Sequence, residues 1–419
     1  MDMTITEKIL ARGADKTHVS PEEFVNVGID LALTHDVLCG PAAKEFRLLA
    51  SKVWNPEKIV VTPDHFIPAK DVESARLYKE MQDFVIEQNI QNYFPVGRHG
   101  ICHVILPEEG LVHPGSILVG TDSHTCTHGA LGAFATGIGT TEMAAVFATG
   151  ESWFRVPDSM KFYISGKLPE LVTAKDVILQ IIKEIGVDGA LYRAMEFAGP
   201  VVSDFEMDER FVLCNMAIEA GAKNGIIEVD TRTQNYLEQR GVKKFKSIES
   251  DKGAEYVDEI DMDVSDLEPT VATPFLPSNG RPARDLSNIE IDQAFVGSCT
   301  GGRLSDLRDA AKLLRGRIVS ERVRLIVIPA TQEIYLKALE EGLIETFIRS
   351  GAVVSTPTCG PCLGGHMGVL AENEVAIATT NRNFRGRMGH PTSEVYLASA
   401  LTTAASAVEG RITDPRDIT

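Results

Sequence analysis

No stretch of this chain approaches the ~20 consecutive apolar residues that a membrane-spanning helix requires. The N-terminal MDMTITEKILARGADK lacks the apolar segment of a secretory signal. Both absences point to the cytoplasm. Positive charge is scarce: 41 Lys and Arg stand against 59 Asp and Glu, a net −18. Nucleic acid and anionic membrane surfaces both demand a basic face, so neither is an expected partner. A small anionic substrate stays compatible if arginines gather locally. Cysteine is sparse and odd in number, seven in 419 residues, which excludes a disulfide framework. In a reducing compartment such thiols serve as core filler, metal ligands or redox groups. Short repeats and low-complexity tracts are absent as well.

What is present is ordinary globular material, 44% hydrophobic and 24% charged. Its length fits two to four domains at roughly 100–200 residues each. Short apolar runs at 59–61, 117–119, 294–296, 325–328, 352–354 and 375–378 read as buried parallel strands. Between them lie helical patterns. Thr173-Ala-Lys-Asp176 opens one, followed by Val177, Ile178, Ile181, Ile182 and Ile185 at helical spacing and closed by Gly186. Ser305 is the expected cap of another, with Leu307, Ala310, Ala311 and Leu314 inward. The alternation predicts an α/β fold. From Glu249 to Glu268 nine acidic residues face one lysine, and Pro269, Pro274, Pro277 and Pro282 follow. That stretch reads as an exposed, extended connection. With a weaker break near Pro157, the expected domains are 1–157, 158–257 and 258–419.

Five polar clusters each directly follow a short strand: Asp64-His65, Asp122-Ser123-His124, Gly-Ser-Cys299-Thr-Gly-Gly-Arg303, Cys359-Gly-Pro-Cys362 and Asn381-Arg382-Asn383-Phe-Arg-Gly-Arg387. Ligands of open α/β sheets bind outside the carboxyl ends of strands, so the five look like one composite site. Cys359 and Cys362 alone could be a redox dithiol, half of a zinc site or ordinary packing. Cys299, in a glycine-rich turn, tips the balance toward an iron–sulfur cluster. Three thiolates can hold three irons of a four-iron cluster and leave the fourth open as a Lewis acid. Cys39, Cys102, Cys126 and Cys214 read as small buried hydrophobes. In each Asp-His pair the carboxylate can raise the imidazole's pKa and hold it as a proton donor, which a departing hydroxide needs. One such pair is more often a surface loop; two at strand ends favour function. Arg382 and Arg387, in an otherwise acidic chain, read as a carboxylate clamp. Asn215 and Glu219, four apart on an expected helix, share a face, and a buried Glu219 would need a partner such as His124.

The stretches TPDHFIPA, GICHVILPE, GTDSHTCTHGALG, CNMAIEAGA, GSCTGGR, PTCGPCLGGHMGVLA and NRNFRGRMG together resemble the aconitase family, across about residues 60–390. The nearest likeness is to its branch of two-chain dehydratases. The resemblance implies three α/β domains around a central cleft and a [4Fe–4S] cluster on Cys299, Cys359 and Cys362. It implies that His65, paired with Asp64, protonates the leaving hydroxyl, that His103 pairs with Asp122, and that Ser123 contacts substrate. It pairs His124 with Glu219 beside Asn215, puts Asn381 near the cluster, and assigns Arg382 and Arg387 to a substrate carboxylate. His35, where single-chain aconitases have glutamine, becomes a further substrate contact. The implied reaction is isomerisation of a small hydroxy acid by dehydration and rehydration. The expected substrate is 2-isopropylmalate, in leucine biosynthesis; homocitrate, citramalate and dimethylmalate are alternatives. Two departures stand out. Gly301 occupies a position where the family more often has asparagine. No stretch matches the family's swivelling C-terminal domain, so a separate small subunit is expected to bring the base. A CxxC redox protein and a cluster-free RNA-binding regulator are the rival readings.

Overall fold

The computed structural model describes residues 2–418. Three sheets built mainly from parallel strands form its frame, each flanked by helices. The first is all parallel, in the spatial order Asn92–Tyr93, Ile59–Thr62, Leu31–His35, Ile117–Gly120, Phe134–Gly137. Its strands at 59–62, 31–35 and 117–120 are buried along their whole length, as strands covered on both faces must be. The second sheet, also parallel, runs Asn224–Ile226, Ala194–Ala198, Ser159–Ser165, Asp258–Asp263. The third has seven strands. Glu394–Leu397, Val375–Ala378, Gln293–Val296, Arg324–Val327 and Val353–Val354 are parallel, with Thr270–Ala272 and Gly280–Pro282 added antiparallel at one edge.

The helix expected after Thr173 is Ala174–Ile185. Asp176 closes its capping box, and its apolar stripe packs into the core. Two local expectations are corrected. Ser305 is not a cap, because the helix begins one residue earlier, at Leu304–Leu314, with Arg303 at the N-cap and Asp306 accepting its backbone N–H. The Ser305 hydroxyl instead donates to Asp208. The acidic stretch is not wholly a linker. Within it Asp258–Asp263 pairs with Ser159–Ser165 as an edge strand, its charged side chains facing out and Met262 facing in. Edge strands tolerate that charge because only one side is paired and solvent takes the other. We therefore propose that the second unit ends after Asp263 rather than at 257.

A short antiparallel ribbon, Phe24–Gly28 with Glu151–Arg155, closes the outside of the first unit. One continuous buried cluster joins Leu33 and Ile105 to Ile178, Met195 and Met216, and on to Phe295 and Ala378. The three sheets are thus packed against one another around shared apolar contacts, and their strand ends converge.

Candidate active site

Strand order decides where the chemistry gathers. In the first sheet Leu31–His35 lies between Ile59–Thr62 and Ile117–Gly120, so the chain leaves it in one direction and later returns on the other side. In the third, Gln293–Val296 lies in the same way between Arg324–Val327 and Val375–Ala378. Loops diverge at such reversals and leave a crevice at the carboxyl ends of the strands. His35 and Asp36, Asp64 and His65, and Asp122 follow the first set; Cys299 and Asn381 flank the second. One cavity is lined by Asp64, His65, His103, Asp122 and His124 together with Cys299, Cys359, Cys362, Asn381 and Arg387. A larger cleft lies between the first helix and residues 245–252, but none of these groups lines it. Chemistry rather than volume locates the site.

The acid–base half is a chain of charged hydrogen bonds. His65 Nδ1 lies 2.5 Å from Asp64 Oδ1, and the other Asp64 oxygen accepts the Cys102 backbone N–H at 2.8 Å. Burial alone would lower His65, but the Asp64 carboxylate overcomes it and lifts the imidazole to about 10. Burial likewise works against ionised Asp64, yet His65 wins and holds it below the ordinary carboxylate value. With Nδ1 on Asp64, the proton His65 can give is on Nε2, 3.7 Å from Asp122 Oδ2. Asp122 also faces His103 Nε2 at 2.8 Å and accepts the His124 backbone N–H at 2.7 Å. Against the cost of burial these contacts keep it ionised. His35 stacks on His65 with ring centroids 4.2 Å apart. Burial and the neighbouring imidazolium lower its pKa, and both its ring nitrogens are buried without a hydrogen bond, Nδ1 lying 3.9 Å from Asp36 Oδ1.

The pairing of Asp64 and His65 makes stability depend on pH. The folded-state pKa of His65 lies above its free value of 6.5. The stabilisation is therefore complete below about 6.5 and lost as pH climbs through about 10. Asp64 is depressed from 3.8, so the same interaction also weakens as pH falls below that value. Denaturant unfolding of the native chain and of Asp64→Asn should show a difference that is constant near pH 5–6 and shrinks toward pH 10. A difference unchanged over that range would contradict the pairing.

The sulfur half rests on two turns. Ser298, just before Cys299, sits in the left-handed region at φ +71°, a conformation its own Oγ supports by accepting the Thr300 N–H. Asn381 Nδ2 donates to Cys299 Sγ at 3.3 Å, and its Oδ1 lies 3.9 Å from Cys362 Sγ. The backbone N–H of Cys359 donates to the Asp64 carbonyl at 2.7 Å, which fastens the C-x-x-C turn directly to the acid–base loop. Burial pushes the Cys299 thiol up to about 12 and Cys359 well above its ordinary value. These are not the acidic thiols of a dithiol redox site; a metal cation is what would displace their protons. Three soft donors on one cavity, an amide aimed at two of them, and cationic Arg387 4.0 Å from Cys362 fit an anionic iron–sulfur group.

The remaining expected residues take different positions. Glu219, buried, lies 2.7 Å from His124 Nε2 and 2.8 Å from Arg382 Nε. Arg382 is thus committed beside the cavity through its Nε, whereas Arg387 lines it with Nε unpartnered. Asn215 donates to Thr127 Oγ1 and accepts from Asn381 at 3.1 Å, so it buttresses Asn381. Asn215 lies in the last turn of the helix Met207–Met216, and Glu219 sits on the following 3-10 turn, not on one continuous helix. Ser123 begins the turn after Asp122 and does not line the cavity. All of Cys39, Cys102, Cys126 and Cys214 are buried, and Cys102 also lines the cavity.

Three residues of the site escape a sequence reading. Asp36 accepts the backbone N–H groups of Asp64, His65 and Phe66, shaping the proton-donor loop; its signal was the His35-Asp36 pair at a strand end. Buried Arg303 donates to the His103 carbonyl and covers the Phe211 ring. Lys175 reaches the Cys299 turn and the Asn381 loop from another unit. Gly301 also finds its explanation. A Cβ there would lie 2.1 Å from Thr379 Cβ, and Thr379 Oγ1 holds both Gly297 N–H (2.9 Å) and Gly297 O (2.8 Å). Thr379 fills the space that a side chain at 301 would need. Gly301→Ala should cost about 1–3 kcal/mol by overpacking; an unaltered melting temperature would show that the turn relaxes freely.

A sequence model of the aconitase family (aconitate hydratase) matches residues 7–287 and 279–410. The chain is 56% identical to the 3-isopropylmalate dehydratase large subunit of Moorella thermoacetica over 419 residues, 100% of both chains. It is 55% identical to the corresponding large subunit of Acetivibrio thermocellus, again over 100% of both. It is also 55% identical to a probable 3-isopropylmalate dehydratase large subunit of Methanothermobacter thermautotrophicus, over 99% of each. Among solved structures, Thermococcus kodakaraensis aconitase X in its holo-form superposes with a TM-score of 0.52 at 13% identity, covering 91% of this chain and 93% of that one. That likeness is one of fold.

Proposed function

The chain belongs to the aconitase family, and we propose that it is the large subunit of a two-chain hydro-lyase that interconverts 2-isopropylmalate and 3-isopropylmalate. The observation that carries the chemistry is the cavity on which three cysteine thiols and two Asp–His pairs open together. Elimination of water needs a polarised hydroxyl and a proton for it, and these are the two halves of that cavity. Relatives more than half identical over the whole chain supply the substrate. The three free thiols and the biosynthetic reaction suit a reducing cytoplasm.

In this reading Cys299, Cys359 and Cys362 hold a [4Fe–4S] cluster. When bound, it would supply one Lewis-acidic iron to the substrate's hydroxyl and carboxylate. His65 keeps a proton on Nε2 for the departing hydroxide, and Asp64 fixes the ring and its charge. His103 and Asp122 orient one another at the cavity wall. Arg387 offers its guanidinium to substrate oxygens at the cavity, while His35, stacked on His65 and outside the cavity lining, backs the proton donor. Arg382 adds its free guanidinium edge beside Arg387, held by Glu219, which His124 also holds. Asn381, braced by Asn215, orients two of the thiolates. A small subunit removes the carbon-bound proton and senses the substrate's side group. Assay of the two chains together on 2-isopropylmalate, homocitrate, citramalate and dimethylmalate should give the highest kcat/KM with 2-isopropylmalate. A preference for any other acid in that panel would overturn the substrate assignment.

A further inference from the structure

Lys175 is placed against three local rules at once. It is 4% exposed, in the first turn of the helix Ala174–Ile185, where the helix dipole disfavours a cation. Its ammonium meets only neutral oxygens: the carbonyls of Thr380 at 2.6 Å and Thr379 at 3.0 Å, and Thr300 Oγ1 at 3.4 Å. No carboxylate lies within ion-pair distance of it among the described residues. A buried charge without a counter-charge is costly, so an anion must be sought nearby.

Burial lowers Lys175 to about 8, and the acidic groups nearest it are Cys299, Asp306, Cys362 and Glu219. Two of these are already spoken for. Burial raises Asp306 to about 8, which leaves it largely neutral, and it accepts the Arg303 N–H. Glu219 is shared by His124 and Arg382. Only the sulfur ligands are left without a matching cation on this side. The three oxygens that Lys175 holds belong to the residue after Cys299 and to the two residues before Asn381. It therefore touches the Cys299 turn and the loop of Asn381, whose amide lies against two of the sulfurs, from a helix of the second unit.

We propose that Lys175 is the internal counter-ion of the cysteine-held cluster, a positioning residue that raises its reduction potential and ties the Cys299 turn to the Asn381 loop. The inference rests on the iron–sulfur reading above. Charge near a cluster shifts its potential, because reduction adds negative charge that a fixed cation stabilises. The test is the midpoint potential of the cluster, by spectroelectrochemistry of the anaerobic holoprotein, in native, Lys175→Met, Lys175→Gln and Lys175→Arg chains. Both neutral variants should hold about tenfold less reduced cluster at a given applied potential, ~59 mV for one electron, and Lys175→Arg should restore it. If the neutral variants fold yet lose iron while Lys175→Arg keeps it, the charge is again the determinant. A potential unchanged in either neutral variant, or equal iron loss in all three, reduces Lys175 to a structural pin and overturns the proposal. A native chain without any iron–sulfur signature instead overturns the reading on which it rests.

Discussion

Replacing His65 with glutamine is expected to lower kcat by about 10²–10⁴, the usual worth of a positioned general acid, while KM changes far less. The expectation follows from where the proton sits. His65 Nδ1 is bound to Asp64, so only Nε2 faces the cavity. Its imidazolium persists to about pH 10, so the acid is present throughout the neutral range. Glutamine keeps a donor but no transferable proton, which separates proton delivery from simple hydrogen bonding. Steady-state kinetics of the assembled enzyme decide it. A kcat within threefold of native would mean that the hydroxide takes its proton elsewhere.

The isolated chain should show no turnover above background, and addition of the small subunit should restore it. The reason lies in the cavity lining. Asp64 is taken by His65, His103 by Asp122, His124 by Glu219, and Ser298 by Thr300. None of these paired groups is a free base able to lift a carbon-bound proton. Two imidazoles near them lack hydrogen bonds, and both are poor bases: His35 is held below its ordinary pKa by burial and by the imidazolium stacked on it, and His128 by burial and His103. A poor base beside a committed acid cannot complete the reaction. Titrating small subunit into a fixed amount of this chain, with activity as readout, gives the answer. Full activity before any addition would contradict the two-chain account.

Much of the site was legible in the sequence because each of its loops follows a short apolar strand, and strand ends are where α/β sheets present ligands. Cys299, Cys359 and Cys362, Asp64–His65 and Asp122 all carried that signal. The helix after Thr173 was legible for a different reason: capping box, 3.6-residue periodicity and terminal glycine agree. Ser305 misled because several residues could cap, and the tertiary contact with Asp208 claimed its hydroxyl. The strand Asp258–Asp263 was hidden by its charge, since Ile260 and Met262 alone hold this edge strand to the core. Lys175 and Arg303 could not be read at all. Their partners lie some ninety to two hundred positions away in the chain, and a lysine in TAKD looks like any solvated first-turn residue.

Anaerobic purification followed by iron, sulfide and visible absorption measurements decides whether the three thiolates hold a four-iron cluster. About four irons and four sulfides per chain with a brown chromophore, lost together in Cys299→Ser, Cys359→Ser and Cys362→Ser, is the expected result. A colourless protein in which Cys359 and Cys362 close into a disulfide, or bind zinc without Cys299, would contradict it.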